Sequence, residues 1–347
     1  MYEYLKSLIR AEGVKPIKQK IKYDFLKNIS PHKKYSFGEK NKKINFYVIK
    51  RNYNFNGLFS NLIFVVDHIK FAKQKNMIPI IDMQNFVTVY NDVNSINGNT
   101  NAWNYYFKNL NKYNLNEVYE SKNVYFSHDN RIYKKEINES NSLKRIFNKF
   151  ININPEHLKF FKKLRNRKFK KNSKILGVHI RGGLEKIVRR HSFPPRPIDI
   201  LNISKNIFKK KKYDKIFLIT EDINYLNVFK NYYKKKLITL NTPRSKSKMF
   251  GNHNSHFTDY NRRNHRYRLG REALIDALML SSADGLLFTT SNLWRFSIIM
   301  SKIKQEKYQV KTDTKSSNRL IARWQWYLKY LFPKIFGNIN YKVLVIK

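Results

Sequence analysis

Three stretches in the second half of the chain carry residue types that could bind an anion or assist a group transfer. In the first, residues 177–183, His179 and Arg181 stand two positions apart at the end of an apolar run that predicts a buried strand. Because side chains at i and i+2 of a strand point to the same face, the imidazole and the guanidinium would lie side by side. Two glycines follow and allow the backbone to turn close to a ligand. A purely structural alternative keeps His179 in the core and Arg181 in an ion pair.

The second stretch, residues 217–225, ends an apolar run with the acidic pair Glu221 and Asp222. At the end of a buried strand these carboxylates could bind a ligand. The simpler interpretation is that one of them caps the helix that follows, because Asp is a favoured N-cap residue.

The third stretch, residues 269–295, contains an isolated aspartate and a hydroxyl-rich junction. Asp276 interrupts an otherwise apolar helical pattern, and a carboxylate in such a place needs a polar partner. Thr290 and Ser291 belong to a strand-to-helix junction, where the backbone N–H groups of the first helical turn favour an anion. The pattern therefore indicates an anion site at this junction.

The three stretches can form one site only if a common sheet brings them together. From residue 174 onward, short apolar runs typical of strands alternate with helical patterns. The predicted strands are 174–180, 215–220, 236–240 and 285–290, and the predicted helices are 198–210, 223–233, 270–282 and 292–304. This alternation predicts a doubly wound α/β domain, in which ligands bind at the carboxyl ends of the strands.

The first half of the chain predicts another α/β domain. A strand over 44–49, a glycine turn at 54–57, a helix over 59–75 and a strand over 77–82 would form one βαβ unit. We therefore predict three segments of the chain, which are a basic N-terminal arm or helix over 1–43, an α/β domain over 44–170 and a Rossmann-like domain over 171–347.

The composition narrows the chemistry. The chain has no cysteine, which excludes disulfides, thiolate metal sites and thiol catalysis. It lacks an Asp-x-Asp motif, an HExxH motif and a histidine cluster, so no metal site is predicted. The net charge of +46 follows largely from a general abundance of lysine, but 11 of the 19 arginines lie between 181 and 295. That concentration suits phosphate, which a guanidinium group binds through two parallel hydrogen bonds.

The hydropathy pattern contains no membrane span and no signal peptide. No segment reaches the roughly 18–20 uninterrupted apolar residues of a spanning helix, so we expect a cytoplasmic protein. Residues 319–336 alternate basic with aromatic and aliphatic side chains, which predicts a helix on the anionic inner face of a membrane. Packing of this helix on the other domain is an equal or slightly better alternative.

The three stretches, in this order and spacing, resemble the three motifs of the fucosyltransferase superfamily. Residues 177–183 are similar to its Val-His-x-Arg-Arg motif, with His179 and Arg181 on the histidine and the first arginine. Residues 216–226 are similar to its strand that ends in an acidic pair. Residues 273–295 are similar to its helix with a buried aspartate, followed by Ala-Asp and Thr-Phe-Ser-Ser. The likeness is strongest toward the α1,6 branch.

This resemblance implies a fold and a reaction. The family has the GT-B fold, in which two Rossmann-like domains face one another across a cleft. Here 44–170 would be the acceptor-side domain and 171–347 would bind the nucleotide sugar. Family members transfer fucose from GDP-fucose with inversion and without a metal, so the resemblance implies a donor substrate but no cofactor. The implied partner is a glycan acceptor, such as a lipopolysaccharide, a capsule or another oligosaccharide.

The resemblance also implies roles for residues. Arg181 would stabilise the charge that develops on the diphosphate as the sugar departs, and His179 would orient the same region or hydrogen-bond the nucleotide. Glu185, the nearest carboxylate after the glycine turn, is the candidate catalytic base. In one departure from the family pattern, Gly182 stands where the second arginine would be. The donor-binding candidates further along the chain are Asp276 for the guanine edge, Ser291 for a phosphate, and Glu221, Asp222 and Thr290.

Other functions are compatible with parts of the pattern. The charge of +46 and the 15% of aromatic residues would suit a nucleic-acid-binding protein. No zinc finger or RNP motif is present, however, so no nucleic-acid partner is expected. A non-catalytic, lectin-like relative would not need both His179 and Arg181. A transferase that uses another nucleotide sugar is the alternative within enzymes.

Overall fold

The computed structural model describes residues 29–52, 56–134, 140–243 and 262–346. The chain divides into two compact units. The first consists of residues 1–159 and 259–274, and the second of residues 160–258 and 275–347. Most of the arm predicted over 1–43, and part of the glycine turn predicted at 54–57, lie outside the described residues.

The first unit is built around a four-stranded sheet. Its strands are β1 (Lys34–Tyr35), β2 (Phe46–Ile49), β3 (Ile78–Ile81) and β4 (Val124–Phe126), in the order β1-β4-β2-β3. β2 is parallel to β3 and to β4, whereas β1 is antiparallel to β4. Every residue of β2 is buried, which explains why this strand reads as a continuous apolar run.

Helices complete the first unit. α1 (Leu58–Gln74) connects β2 to β3, so the βαβ unit predicted over 44–82 is confirmed. The short helix α2 (Leu115–Val118) precedes β4, and α3 (Ser140–Phe150) follows it. Between β3 and α2 the chain is irregular, apart from a 3₁₀ turn at Ala102–Tyr105.

The second unit contains a six-stranded sheet. Its strands are β5 (Ile175–Ile180), β6 (Lys215–Thr220), β7 (Leu237–Ile238), β8 (Gly285–Thr289), β9 (Glu306–Thr312) and β10 (Tyr341–Ile346). The order is β10-β9-β8-β5-β6-β7, and all neighbours are parallel except β9 and β10. Read from β7, this is the 3-2-1-4-5-6 order of a Rossmann fold, with its last strand reversed. The predicted α/β class with a doubly wound sheet is confirmed.

Helices alternate with these strands. α4 (Pro155–Lys168) precedes β5, and α5 (Pro197–Lys210), α6 (Ile223–Tyr233) and α7 (His265–Ser281) lie between β5 and β8 in the chain. α8 (Asn292–Met300), α9 (Arg319–Leu331) and α10 (Pro333–Phe336) follow β8. The division between the two units falls inside both α4 and α7. None of the described helices is long and apolar enough to cross a membrane.

The sequence pattern missed the far edge of this sheet. The predicted helix 292–304 ends at Met300, and β9 and β10 follow where no strand was predicted. Both strands carry many polar or exposed residues, since β9 buries only Tyr308 and Val310 and no residue of β10 is fully buried. β9, which lies between β8 and the edge strand β10, alternates buried with polar residues and so lacks the apolar run of the central strands. β10 does contain an apolar run, residues 343–346, which the sequence analysis did not assign to a strand.

β5 is the central strand of the second unit. All six of its residues are buried, and Leu176, Val178 and Ile180 belong to one core cluster with residues of β6, β8, α5 and α6. On the other face, Gly177 leaves room for α7. A Cβ atom at Gly177 would lie only 2.8 Å from the side chain of Leu280, which shows how closely α7 approaches the strand. This approach packs the C-terminal part of α7 against β5.

Candidate anion-binding site

The strand order of the second unit creates one place where a ligand is expected. From β5 the chain continues to β6 and β7 on one side of the sheet and later to β8 and β9 on the other. The point between β5 and β8 is therefore a topological switch point, where doubly wound sheets leave a crevice outside the carboxyl ends of their strands.

The three predicted stretches end at this crevice. His179 of β5 is paired in register with Ile219 of β6 and with Phe288 of β8. Because these three neighbouring strands are parallel, Arg181 follows β5, the acidic pair follows β6, and Thr290 and Ser291 follow β8 at one edge of the sheet. The topology therefore brings together the strand ends that the sequence analysis selected separately.

His179 is buried, and its environment keeps it neutral. Burial, assisted by the nearby positive charge of Arg181, lowers the pKa of His179 to about 3 from the ordinary 6.5. Its Nδ1 atom lies 3.4 Å from the hydroxyl of Ser291, across the gap between β5 and β8. At neutral pH the ring can donate one hydrogen bond and accept another, but it does not supply a positive charge. The positive charge at the end of β5 belongs to Arg181, which is half-buried.

The two glycines after Arg181 have different physical roles. Gly183 has a φ of +43°, in the left-handed region that favours glycine. Gly182 has no room for a side chain, because a Cβ atom there would lie 2.6 Å from Cβ and 2.7 Å from Oδ2 of Asp222. The space that a second arginine would need at this position is therefore filled by Asp222.

Asp222 is fully buried, and both of its carboxylate oxygens are used inside the second unit. Oδ1 accepts a hydrogen bond from the backbone N–H of Asn224 at 2.9 Å, so the N-cap interpretation is confirmed. Oδ2 accepts a hydrogen bond from Nζ of Lys186 at 2.5 Å. Lys186 is itself 3% exposed, and its ammonium lies 4.7 Å from the ring centroid of Trp326. This buried ion pair ties the turn after β5 to the start of α6.

Sequence reasoning missed Lys186. A single lysine four residues after Gly182 is inconspicuous in a chain with 70 Lys and Arg residues. Only its burial against Asp222 distinguishes it, and burial at this position depends on the folded structure.

The remaining candidates are placed as follows. Glu221 is half-buried at the end of β6, and Asp276 is half-buried within α7 between the buried residues Ile275 and Ala277. Glu185 belongs to a 3₁₀ turn, Gly183–Lys186, but its side chain lies outside the part of the chain that the structure describes. Its predicted role as a base stays a prediction.

The junction after β8 has the features of an anion site. Ser291 is the N-cap of α8, yet its side chain does not hydrogen-bond the first turn of the helix. Backbone N–H groups at the start of α8 and the hydroxyl of Ser291 are thus close to His179. The helix dipole adds a partial positive charge at this end. Thr290 is exposed, and its hydroxyl accepts a hydrogen bond from Nε2 of Gln309 at 3.3 Å.

Asp284, which also matched the family pattern, lies at the opposite edge of the sheet. Its Oδ2 atom accepts a hydrogen bond from the backbone N–H of Ile175, the first residue of β5, at 2.7 Å. Asp284 therefore holds the amino ends of β5 and β8 together and is far from the strand ends that carry Arg181 and Ser291.

This arrangement can bind an anion and stabilise growing negative charge. It combines a guanidinium, a neutral imidazole, a hydroxyl group and a helix N-terminus at one sheet edge. Among the residues that the structure describes, no three His, Asp or Glu side chains are grouped so that they could hold a metal ion.

Comparison with known proteins places solved fucosyltransferase structures beside this fold. A NodZ α-1,6-fucosyltransferase soaked with GDP-fucose is 13% identical, with a TM-score of 0.47 over 87% of this chain and 100% of that chain. A mutant of Arabidopsis thaliana FUT1 in complex with GDP is 10% identical, with a TM-score of 0.45 over 92% of this chain and 80% of that chain. POFUT1 in complex with GDP is 10% identical, with a TM-score of 0.32 over 73% of this chain and 68% of that chain. No protein-family model and no curated protein matches the sequence.

The buried, neutral state of His179 leads to a testable dependence of stability on pH. The pKa of His179 is about 3 in the folded protein and ordinarily 6.5, so the unfolded chain binds the proton more tightly between these values. The stability contributed by the neutral ring is complete above pH 6.5 and is lost as the pH falls toward 3. We expect the native protein to lose on the order of 2 kcal/mol more than His179→Gln between pH 7 and pH 5.

Urea unfolding of both proteins at pH 7 and pH 5 measures this difference. Only the change in unfolding free energy between the two pH values is compared, so a variant that is less stable at both values does not affect the result. NMR titration of the imidazole provides a second readout, with no change in its resonances expected between pH 8 and pH 5. Equal losses in the two proteins, or an imidazole that titrates near pH 6, would show that His179 is not held neutral.

Proposed function

We propose that this protein is a glycosyltransferase that transfers fucose from GDP-fucose to a glycan acceptor, with inversion at the anomeric carbon and without a metal ion. The observation that carries the proposal is the convergence of His179, Arg181 and Ser291 at the switch point of a Rossmann-like unit. These three residues also match the fucosyltransferase motifs in order and spacing. Another nucleotide sugar as donor is the alternative.

The chemistry requires the enzyme to stabilise a leaving diphosphate. The hydroxyl oxygen of the acceptor forms a bond to the anomeric carbon of fucose, and the bond from that carbon to the phosphate oxygen breaks. The electron pair of that bond leaves with GDP, and the acceptor proton passes to a base, for which Glu185 is the candidate. Charge therefore grows on the diphosphate, and fixed positive groups there lower the barrier.

The residues at the sheet edge supply those groups. Arg181 provides the positive charge, the first turn of α8 and the hydroxyls of Thr290 and Ser291 bind phosphate oxygens, and neutral His179 hydrogen-bonds the nucleotide. By resemblance, Asp276 holds the guanine edge. Of the acidic pair we assign Glu221 to the donor, because both oxygens of its neighbour Asp222 are already engaged.

A screen of donors tests this function directly. The protein is incubated without acceptor in the presence of GDP-fucose, GDP-mannose, UDP-glucose or UDP-N-acetylglucosamine, and released nucleotide is measured with and without excess EDTA. We expect slow GDP release that is fastest with GDP-fucose and that persists in EDTA. Release only from another donor contradicts the assignment of the donor. Loss of activity in EDTA that Mg²⁺ or Mn²⁺ restores contradicts metal independence. Binding of GDP-fucose without any turnover indicates a lectin-like protein.

Arg181 is the residue on which catalysis should depend most strongly. Arg181→Ala removes the cation, and Arg181→Lys keeps a charge but loses the planar group that binds two phosphate oxygens at once. We expect both variants to lower turnover by roughly 10²–10³-fold. The exposed Arg189 is the matched control, and Arg189→Ala should keep normal turnover.

Thermal unfolding of the same variants separates catalysis from folding, and the midpoints should stay close to that of the native protein. Near-normal turnover of Arg181→Lys, or unfolding of Arg181→Ala, would make Arg181 a structural residue instead.

We also propose that the C-terminal helices contact an anionic membrane surface. α9 buries Ala322, Trp326 and Tyr327 in the second unit, where Trp326 Nε1 donates a hydrogen bond to the carbonyl oxygen of Pro194 at 2.8 Å. The same segment exposes a set of large apolar side chains, which we call the C-terminal apolar surface. It consists of Leu320, Ile321, Trp324, Leu331, Phe332, Ile335 and Phe336.

Charge determines which partner suits this surface. Arg319, Arg323 and Lys334 are exposed on the same segment, and no acidic residue occurs between 319 and 336. Apolar side chains that insert between lipid headgroups, with cations beside them, are typical of helices that lie in an anionic interface. Each such cation adds about 1 kcal/mol near anionic lipid.

Flotation with vesicles tests the membrane contact. We expect the native protein to float with vesicles containing phosphatidylglycerol and much less with neutral phosphatidylcholine vesicles. The pair Leu320→Ser and Ile335→Ser removes the two most exposed residues of the surface, which are 71% and 75% exposed, and should weaken binding at least about tenfold. Ile198→Ser is the control, because Ile198 is 51% exposed on α5. Equal flotation with both vesicle types, or none at all, refutes the contact.

A further inference from the structure

The first unit contains a cavity of about 200 Å³ whose chemistry differs from the rest of the chain. It lies against β3, the edge strand of the four-stranded sheet, and is closed by residues between 98 and 116. Eight of its 17 lining residues are Asn or Gln, and none is charged or a histidine. In a chain where 27% of residues are charged, a cavity without a single charge is unsuited to a phosphate or another ion.

Some of the amides hold the cavity walls in place. Asn101 Nδ2 donates a hydrogen bond to the carbonyl oxygen of Ile81 at 2.7 Å, and Asn111 Nδ2 donates one to the carbonyl oxygen of Pro79 at 2.8 Å. These bonds join the loop to β3, one of them through the last residue of the strand. The cavity is therefore preformed by the loop and does not need a ligand to assemble it.

Other amides are available to a ligand. The side chains of Asn109 and Asn116 are exposed and hydrogen-bond to none of the described residues. Asn104 Oδ1 is buried at the wall and likewise lacks a hydrogen-bond partner among the described residues. Each amide has a carbonyl that accepts and an NH₂ group that donates, so the cavity offers both kinds of partner without charge.

Apolar surface stands beside these amides. The ring of Tyr113 is half-buried, and its edge-to-face packing on Phe46, with 4.9 Å between the ring centroids, fixes its orientation. Leu110 and Leu115 line the same cavity. A ligand that matches this wall needs hydroxyl or amide groups on its edge and a C–H face for the ring and the leucines.

We propose that this amide cavity binds one residue of a neutral saccharide. A pyranose ring has the required hydroxyl edge and apolar face, and the volume is below the roughly 300–1,000 Å³ of pockets for larger ligands. The identification of that saccharide as part of the glycan acceptor rests on the proposed function. The binding of a neutral saccharide does not, because it follows from the cavity alone.

The experiment measures saccharide binding by the full-length protein in the absence of a nucleotide sugar. Saturation-transfer NMR and calorimetric titration are done with chitotriose, maltotriose, lacto-N-tetraose and lactose as neutral probes and with sialyllactose as an anionic probe. We expect at least one neutral probe to bind and sialyllactose to bind more weakly than its neutral parent, lactose.

Two pairs of substitutions locate the site. Asn109→Ala with Asn116→Ala removes the available amides, and the dissociation constant should rise by roughly tenfold, as expected for two lost hydrogen bonds. Asn148→Ala with Asn227→Ala removes two exposed amides outside the cavity and should leave binding unchanged. No binding of any neutral probe, equal binding by the cavity pair and the native protein, or a preference for sialyllactose would overturn the proposal.

These outcomes are independent of the proposed function. Saccharide binding at the cavity without turnover of any nucleotide sugar leaves this proposal standing and removes the transferase. If GDP-fucose is turned over but the Asn109→Ala Asn116→Ala protein binds saccharide as well as the native protein, the transferase stands and the cavity proposal is overturned.

Discussion

One carboxylate, that of Asp222, holds the carboxyl edge of the second sheet in its observed form. It caps α6, pairs with the buried ammonium of Lys186 and occupies the space beside Gly182. The turn that begins with Arg181 is thereby fixed at both ends, by β5 before it and by the ion pair after it. Removal of one partner from a buried pair typically costs about 3–5 kcal/mol, because the other charge stays behind without compensation. The position of Arg181 therefore depends on an interaction that does not involve Arg181.

The proposed anion site of the second unit and the amide cavity of the first unit have opposite electrostatic character. At the carboxyl edge of the second sheet, a guanidinium and a helix N-terminus meet a histidine whose charged form is suppressed by burial. In the proposed reaction, these groups would stabilise growing negative charge without having to reorganise. None of the residues that line the amide cavity of the first unit is charged, and the nearby ammonium of Lys112 lies 5.5 Å from the ring centroid of Tyr113. A chain of net charge +46 attracts anions over its whole surface, and this attraction weakens with salt. An uncharged cavity is selective for neutral ligands against that background.

The central strands of the second sheet, and the candidate residues that follow them, could be predicted from the sequence. β5, β6 and β8 are buried on both faces, so their apolar runs were visible, and parallel strands place their carboxyl ends together. β9 was missed because polar residues interrupt its sequence, and the edge strand β10 was missed although its residues 343–346 are apolar. Lys186 and the obstruction at Gly182 were missed because both depend on where α6 begins relative to β5. The amide cavity was missed because residues 83–135 have no helical or strand period, and their high asparagine content does not by itself show which amides line one cavity.

The obstruction at Gly182 constrains how this sequence could change over time. A side chain at position 182 would collide with the side chain of Asp222, so an arginine there requires Asp222 to move or to be replaced as well. That second change would leave Lys186 buried without its counter-charge, which calls for a third substitution at 186. Positions 182, 186 and 222 therefore form a set that can be exchanged together but not one at a time.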